Sequence, residues 1–349
     1  MQRLSGHPFE PWLLERIAAA RHLVLMTHVG PDADGLGCEV AFCAAARAAG
    51  REVHVVNEDS LPARYRWLDP RQALGHVDRD AGFLAAADLG LCFDAHEVAR
   101  VGKPAAELRR HGVDVWVVDH HPAGPDVDVQ GVIAPEFSSS GELVYHLIRA
   151  LGWRVDAEVA RPLYAAMSFD TGSFRFLRNQ PETLHVAAAL LETGIDTNPI
   201  QEALFASRPR SEWELLGRVI QHTRFAADGQ IAWLAADASF VQGLDIAPDA
   251  IGETISQLVG IEGVLVAMML KPDREPGLWK LSLRSKTAVK IGDVARRRGG
   301  GGHDHAAGAT IAGELPALTA ELVAEIEAIV RAAQSRSTHA GTPAQHLPG

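Results

Sequence analysis

The chain has 349 residues, of which 47% are hydrophobic, and this length suits two globular domains better than one. Its formal net charge of −11 argues against a protein that tracks long duplex DNA, because such binding depends on neutralising phosphates. No apolar run reaches membrane-spanning length and the start lacks a signal-peptide pattern, so we expect a cytoplasmic protein with no membrane partner. The cysteines Cys38, Cys43 and Cys92 lack metal-site spacing, which predicts buried core residues.

Short apolar runs alternate with helical patterns through the first two thirds of the chain. The predicted strands are residues 22–27, 51–57, 88–93, 114–119 and 128–134. The predicted helices are residues 39–49, 97–111, 141–151, 157–168 and 182–192. Such alternation is typical of the α/β class, so we predict a mostly parallel sheet flanked by helices.

A second, smaller α/β domain with a mixed sheet is predicted after a helix at residues 211–222. Its first hairpin turns at Asp228 and Gly229, a dipeptide that favours tight turns. Further helices are predicted at residues 250–259, 291–298 and 315–333, and strands at residues 264–270 and 279–284. The predicted boundaries are a first domain at 1–205, a linker helix region at 206–224, a second domain at 225–335 and a disordered tail at 336–349.

Four segments place carboxylates and imidazoles directly after an apolar run. These residues are His28, Asp32 and Asp34; Asp94; Asp119, His120 and His121; and Asp170. Because the carboxyl ends of parallel strands share one edge of a sheet, we expect the four segments to converge. Each aspartate taken alone more often caps a helix or a turn, but four such positions together favour a metal site.

Clustered carboxylates raise one another's pKa unless a cation lies among them. Mixed aspartate and histidine ligands suit manganese better than calcium or magnesium, and a cluster of this size can hold two divalent ions. The role of His96, two residues after Asp94, is left open.

A glycine-rich segment in the second domain follows a run of basic residues. Gly299, Gly300, Gly301 and Gly302 precede His303. The backbone N–H groups of such a run can bind a phosphate, although a flexible linker is the alternative. Arg284 could bind a phosphate through two N–H groups, or it could be an exposed strand charge. The basic surroundings favour the phosphate site for both features.

These motifs resemble those of the DHH phosphoesterase family, in its branch of nano-RNases and pAp phosphatases with a DHH-associated C-terminal domain. The matching segments, in family order, are THVGPDADGLG, the segment around Asp94, VVDHH, SSSGELVY, SFDTGSFRF, LRSK and GGGHDHAAG. They extend from about residue 20 to about residue 310. Cys38 departs from the serine that is common at its position.

The resemblance implies roles for individual residues. One ion would be held by His28, Asp32 and Asp94, and the other by Asp34, Asp94, His120 and Asp170. Asp119 would orient His120, and His121 would contact the scissile phosphoryl group. Arg284, Gly300, Gly301, Gly302 and His303 would hold the nucleotide end, with the active site in the cleft between the two domains.

The implied activity is manganese-dependent hydrolysis of short oligoribonucleotides to nucleoside monophosphates, with pAp as a further substrate, by attack of a hydroxide held between two ions on phosphorus. A phosphodiesterase for cyclic di-AMP or linear dinucleotides is the first alternative. A manganese pyrophosphatase would need a different second domain, and a nucleotide-sensing or nucleic-acid-binding protein is the non-enzymatic alternative. The oligomeric state is left open, with a homodimer as one option.

Overall fold

A computed structural model describes residues 8–122, 130–177, 180–246, 250–273, 275–286 and 288–339. The chain forms two compact units, Met1–Ser207 and Arg208–Gly349. Most of the predicted linker region is a helix of the second unit, and the last helix continues to His339, through the first residues of the predicted tail. The rest of that tail, residues 340–349, lies outside the described residues.

The described strands of the first unit form one parallel sheet. They are β1 His22–Met26, β2 Glu52–Asn57, β3 Leu74–His76, β4 Leu89–Phe93, β5 Val115–Asp119 and β6 Gly131–Ile133. Their order in the sheet is β3-β2-β1-β4-β5-β6, and every pair is parallel. The mostly parallel sheet predicted from the alternation is confirmed, while β3 was not predicted.

Helices flank this sheet. They are α1 Pro11–Ala19, α2 Ala33–Ala48, α3 Val77–Asp80, α4 Lys103–Arg110, α5 Ser140–Ala150, α6 Ala157–Asp170, α7 Pro181–Leu191 and α8 Asn198–Phe205, with 3-10 turns at Ala63–Leu68, Ala81–Ala86 and Val98–Val101. The first helix after β1 begins six residues earlier than predicted, because Asp32 caps it by accepting hydrogen bonds from the N–H groups of Asp34 and Gly35. The predicted helix at 97–111 is divided at Gly102, whose φ of +77° is left-handed.

Both faces of the first sheet are buried, as the apolar runs predict. Leu23 and Leu25 of β1 pack into one hydrophobic cluster with α2, α5 and α6, and Val24 and Met26 pack into another with α4. This alternation follows from the two-residue period of a strand, and helices on both faces are typical of parallel sheets. The three cysteines are free and buried, as predicted.

The second unit contains a mixed sheet covered by helices on both faces. Its strands are β7 Arg224–Ala226, β8 Ile231–Ala235, β9 Val266–Pro272, β10 Leu278–Ser285, β11 Gly301–His303 and β12 Ala306–Ala312. Its helices are α9 Arg210–His222, α10 Ala250–Glu253, α11 Ile255–Val259, α12 Gly292–Arg296 and α13 Leu315–His339, with a 3-10 turn at Ala238–Val241. The strand order is β11-β12-β10-β9-β8-β7, with only the β8–β9 pair parallel among the described strands.

The two faces of this sheet have separate hydrophobic cores, each covered by different helices. Leu322, Ile326 and Val330 of α13 pack on one face of the sheet, whereas Leu215 and Val219 of α9 pack on the other. None of the helices in the described ranges combines the length and apolar character needed to cross a bilayer.

Candidate active site

The strand order of the first unit reverses between β1 and β4, which are neighbours in the sheet. Ligands of open α/β sheets bind outside the carboxyl ends of the strands at such a reversal. His28 lies two residues after the end of β1, and Asp94 directly follows β4. The topology therefore brings the first two of the predicted segments to the one edge where a ligand is expected.

His28 lies between two of the predicted carboxylates. Its Nε2 is 3.6 Å from Asp94 Oδ2 and 3.9 Å from Asp32 Oδ2, and the side chain is almost fully buried. Burial alone would lower the pKa of His28, but the hydrogen bond with Asp94 and the charges of Asp32 and Asp94 raise it to about 9. Asp94 itself has a left-handed φ of +61°, a conformation that clusters at functional sites.

Asp34 is fully buried and is held by the first turn of α5. Its two carboxylate oxygens accept hydrogen bonds of 2.8 Å from the N–H groups of Ser140 and Gly141. The hydroxyl of Ser140 donates to Asp94 Oδ1 over 2.9 Å. The amino end of a helix favours negative charge, so α5 holds two of the predicted metal ligands in place. Ser140 and Gly141 were not among the predicted site residues.

A sequence signal for this arrangement exists. Ser139 and Glu142 have the spacing of a capping box, and Ser139 accepts a hydrogen bond from the Glu142 N–H, which marks the start of α5. That pattern identifies a helix amino end but not the carboxylates it faces, which come from segments far away in the chain.

His120 joins Asp34 and Asp94 to the fourth predicted segment. Its Nε2 is 3.2 Å from Asp170 Oδ2, 3.8 Å from Asp94 Oδ1 and 3.9 Å from Asp34 Oδ2. Asp170 is the last residue of α6, so helices as well as strands supply this cluster. All six predicted metal ligands therefore lie together.

Asp119 contacts different histidines from the one expected. Its Oδ1 lies 2.8 Å from His121 Nδ1 and its Oδ2 lies 2.7 Å from His96 Nδ1, whereas His120 Nδ1 lies 3.3 Å from the Phe137 carbonyl. The expectation that Asp119 orients His120 is corrected, because the Asp119 oxygens bond His121 and His96 while His120 Nδ1 lies against the Phe137 carbonyl. Burial alone would raise the pKa of Asp119, but hydrogen bonds from His121 and His96 lower it below its ordinary value.

The cluster has the chemistry of a divalent-metal site. Ligand atoms of His28, Asp32 and Asp94 lie within 4.8 Å of one another, as do those of Asp34, His120 and Asp170 and those of Asp94, Asp119, His120 and His121. In the described part of the chain, no lysine or arginine pairs with Asp32, Asp34 or Asp94. Burial and the charge of Asp94 raise the pKa of both Asp32 and Asp34. A cation among these groups would relieve that repulsion.

Arg284, in the second unit, lies on β10 opposite Ala306 and Ala267. Its side chain is partly buried, and burial lowers the pKa of its guanidinium. Its Nη1 donates a hydrogen bond to the Leu283 carbonyl over 2.9 Å, which uses one of its five N–H donors. Arg284 is therefore a partly desolvated cation with capacity to bind an anion.

The glycine-rich segment is part of the sheet. Gly301 and Gly302 pair with Gly308 and Ala307, and a Cβ on Gly302 would lie 2.5 Å from the Ala306 carbonyl. The Gly300 N–H donates to the Ala295 carbonyl over 3.0 Å, so this amide is already engaged and cannot serve an anion as expected.

His303 pairs with Ala306 through its backbone, and its side chain lies outside the described residues.

Most of the neighbouring basic residues have partners within the second unit. Arg297 pairs with Glu325, Arg298 pairs with Glu321 and Glu325 at 2.6 and 2.7 Å, and Lys290 pairs with Asp304 at 2.7 Å. The basic surroundings that favoured a phosphate site along the sequence are thus largely neutralised by acids of the same unit.

Comparison with known proteins identifies the family. Residues 22–167 match the DHH family, N-terminal domain, and residues 232–332 match the DHHA1 domain. A Thermus thermophilus protein named bifunctional oligoribonuclease and PAP phosphatase NrnA is 31% identical over 327 residues, which cover 91% of each chain. The chain belongs to the DHH phosphoesterase family. The predicted resemblance is confirmed, and the chain is an enzyme.

One solved structure shares the fold, and a further relative is similar in sequence. An exopolyphosphatase-related protein from Bacteroides fragilis has a solved structure that matches with a TM-score of 0.81 at 24% identity, covering 90% of this chain and 93% of that one. A cyclic-di-AMP phosphodiesterase GdpP from Geobacillus thermodenitrificans is 26% identical over 83% of this chain and 45% of its own length. The predicted two-domain α/β fold is confirmed.

Proposed function

We propose that this DHH enzyme hydrolyses short oligoribonucleotides to nucleoside monophosphates and pAp to AMP, with two manganese ions as cofactors. The observation that carries the proposal is the convergence of His28, Asp32, Asp34, Asp94, His120 and Asp170 at one sheet edge, in a chain similar over 91% of its length to an oligoribonuclease and PAP phosphatase. Carboxylate oxygens combined with imidazole nitrogens suit manganese.

Asp94 would lie between the two ions. Its Oδ2 faces His28 and its Oδ1 faces His120, so one carboxylate can serve both sets of ligands. The α5 amides on Asp34 and the Ser140 hydroxyl on Asp94 fix the directions of these oxygens before an ion binds. Divalent ions bound there would acidify a water molecule and stabilise negative charge on the phosphoryl group.

His121 is suited to contact the phosphoryl group. Burial alone would lower its pKa, but the hydrogen bond with Asp119 and the charge of Asp94 raise it above its ordinary value. Asp119 accepts hydrogen bonds from both the backbone N–H and Nδ1 of His121, which fixes the direction of the ring. A ring held in this way could stabilise developing charge or protonate the departing oxygen.

Arg284, Gly301 and Gly302 would bind the nucleotide end from the second unit, with His303 as an additional ligand by family resemblance. The partly buried guanidinium favours recognition of a phosphate through two N–H groups. We propose accordingly that the first unit is the catalytic domain and the second the substrate-binding domain.

A second candidate function is hydrolysis of cyclic di-AMP or of linear dinucleotides. The similarity to a cyclic-di-AMP phosphodiesterase over 83% of this chain favours it. The two candidates use the same metal-site chemistry and differ in the substrate that fits the second unit.

The test is a side-by-side assay of purified full-length protein with manganese, with EDTA as the metal-free arm. The substrates are an RNA series from a dinucleotide to a 24-mer, pAp, linear and cyclic di-AMP, and pyrophosphate. Fast metal-dependent cleavage of the shortest RNAs and of pAp is expected. Preference for cyclic di-AMP would support the second candidate, and no hydrolysis of any substrate would overturn both.

A further inference from the structure

Two buried polar side chains lie behind the metal-ligand edge and do not belong to it. Glu39 is on α2, two turns after the helix begins, and Asn57 is the last residue of β2. Both are almost fully buried, and Asn57 Nδ2 donates to Glu39 Oε2 over 2.9 Å. Burial of a polar pair of this kind costs desolvation free energy, which the hydrogen bonds of the pair must offset.

The pair reaches the site through Thr27. The Thr27 N–H donates to Asn57 Oδ1 over 3.0 Å, and the Thr27 hydroxyl donates to the Phe93 carbonyl over 2.9 Å. Thr27 precedes His28 and Phe93 precedes Asp94, so Thr27 ties together the ends of β1 and β4 at the point where the strand order reverses. The position of the His28 backbone therefore depends on the hydrogen bond that Asn57 accepts from the Thr27 N–H.

Asn57 can hold Thr27 only in one orientation of its amide. Its carbonyl oxygen must face the Thr27 N–H while its NH₂ group faces Glu39, so an acceptor at position 39 selects this orientation. Rotation of the amide by 180° would place the NH₂ group against the Thr27 N–H and lose that hydrogen bond. Glu39 thus fixes Asn57, and Asn57 fixes Thr27.

Stability alone does not account for Glu39. Among the described residues its Oε1 has no hydrogen-bond partner, and burial raises the pKa of the side chain to about 8. At neutral pH the acid is largely protonated, which spares the site a further negative charge. Apolar residues of similar volume at both Glu39 and Asn57 would fill the space at lower desolvation cost.

We propose that Glu39 and Asn57 are positioning residues that hold the Thr27–His28 peptide in place for the metal ion at His28, Asp32 and Asp94. The proposal rests on the metal-dependent function above. Outer hydrogen-bond partners of metal ligands change metal affinity by roughly 10- to 100-fold when removed, which sets the expected size of the effect.

The test is calorimetric titration of manganese into the full-length protein and four variants, with thermal unfolding of each metal-free protein. Asn57→Ala and Glu39→Leu should weaken manganese binding roughly tenfold or more. Glu39→Gln keeps an acceptor for Asn57 and should remain within about twofold of wild type. Cys43→Ala, a buried change one turn further along α2, should lower the unfolding temperature with manganese affinity unchanged.

Glu39→Leu supplies the readout that a merely structural role would not move. It leaves the buried Asn57 NH₂ group without its acceptor, so its unfolding temperature should fall like that of Cys43→Ala, but manganese affinity should fall only in Glu39→Leu. Equal manganese affinity in Asn57→Ala and wild type would overturn the proposal, as would a Glu39→Gln variant as weak as Glu39→Leu. The hydrolysis assay separates the two proposals. If the wild-type protein binds manganese but cleaves none of the substrates, the proposed function is wrong while the positioning role of Glu39 and Asn57 still stands.

Discussion

The acidic edge of the first unit consists of the six predicted metal ligands, and the basic segment of the second unit comprises residues 284–298. Both appear along the sequence as clusters of like charge, but their surroundings in the structure differ. At the acidic edge, Asp34 and Asp94 lie close to other carboxylates and to histidines. In the basic segment, Arg297 and Arg298 pair with Glu325, which lies on a helix more than 25 residues further along the chain. Among the described residues, no lysine or arginine pairs with Asp34 or Asp94, whereas Arg297 and Arg298 are already paired with acids.

The difference arises from how each cluster is assembled. Parallel strands bring their carboxyl ends together, so the acids that follow several strands meet at one edge, here with histidines rather than lysine or arginine between them. A helix packed across a sheet can instead present its own acids to a neighbouring basic segment, as α13 does with Glu321 and Glu325. The described contacts of Arg284 include no acid, unlike those of Arg297 and Arg298, so the contrast can be tested residue by residue.

The largest effect is expected for Asp94→Asn. The change removes a charge that faces both His28 and His120, so turnover of a dinucleotide with manganese should fall by more than about 100-fold, beyond the usual cost of losing an outer partner. The measurement is kcat at saturating manganese, with folding checked by thermal unfolding.

Asp88→Asn is the matched control, because Asp88 precedes the same strand that Asp94 follows. Its Oδ2 accepts hydrogen bonds from the N–H groups of Arg21 and His22, far from the carboxyl edge. Turnover should stay near wild type. Equal losses in Asp94→Asn and Asp88→Asn would mean that the acidic edge is not the catalytic one.

Arg284→Ala should mainly raise KM. Hydrogen bonds to a charged group contribute roughly 1.5–3 kcal/mol, which corresponds to about a 10- to 100-fold increase in KM for a dinucleotide, with a smaller change in kcat. Arg297→Ala is the control, because its charge is matched by Glu325 and a change in KM is not expected. The same rise in KM for both variants would show that pairing with an acid does not determine which arginine binds the substrate.

Much of the acidic edge could be predicted from the sequence. The six ligands follow strand or helix patterns that fix their position at one edge, and the family resemblance divides them into two sets. The hydrogen bonds from the start of α5 to Asp34 could not be predicted, since Ser140 and Asp34 are 106 residues apart and no local pattern relates them.

The glycine-rich segment was harder to interpret from sequence. Gly302 is required by the close approach of the Ala306 carbonyl, and the Gly300 N–H is used by Ala295. Both facts are tertiary, because they depend on strand pairing and on the end of a short helix. The partners of Asp119 were also missed, since adjacent histidines point in different directions and sequence spacing does not say which of them an acid meets.

Ser140→Ala should have a moderate effect. It removes the hydroxyl that donates to Asp94 Oδ1 but keeps the N–H that donates to Asp34, so we expect roughly tenfold weaker manganese binding. Ser139→Ala is the control one residue earlier, since its hydroxyl only caps α5 and its loss should cost about 1 kcal/mol of stability without changing manganese affinity. Unchanged manganese affinity in Ser140→Ala would show that the helix end, rather than this hydroxyl, holds the carboxylates.

Binding of manganese should release at least one proton at pH 7, the smallest effect considered. The pKa of His28 in the ion-free protein is raised to about 9, so the imidazole is protonated at pH 7 and must become neutral to bind a metal. Affinity should therefore increase as pH rises toward 9 and level off above it, since protons no longer compete. Titration in two buffers of different ionisation enthalpy measures the release, and heats that do not depend on the buffer would contradict it. The Arg284→Ala variant should release the same number of protons, because an arginine stays charged throughout this range and its unit takes no part in the exchange.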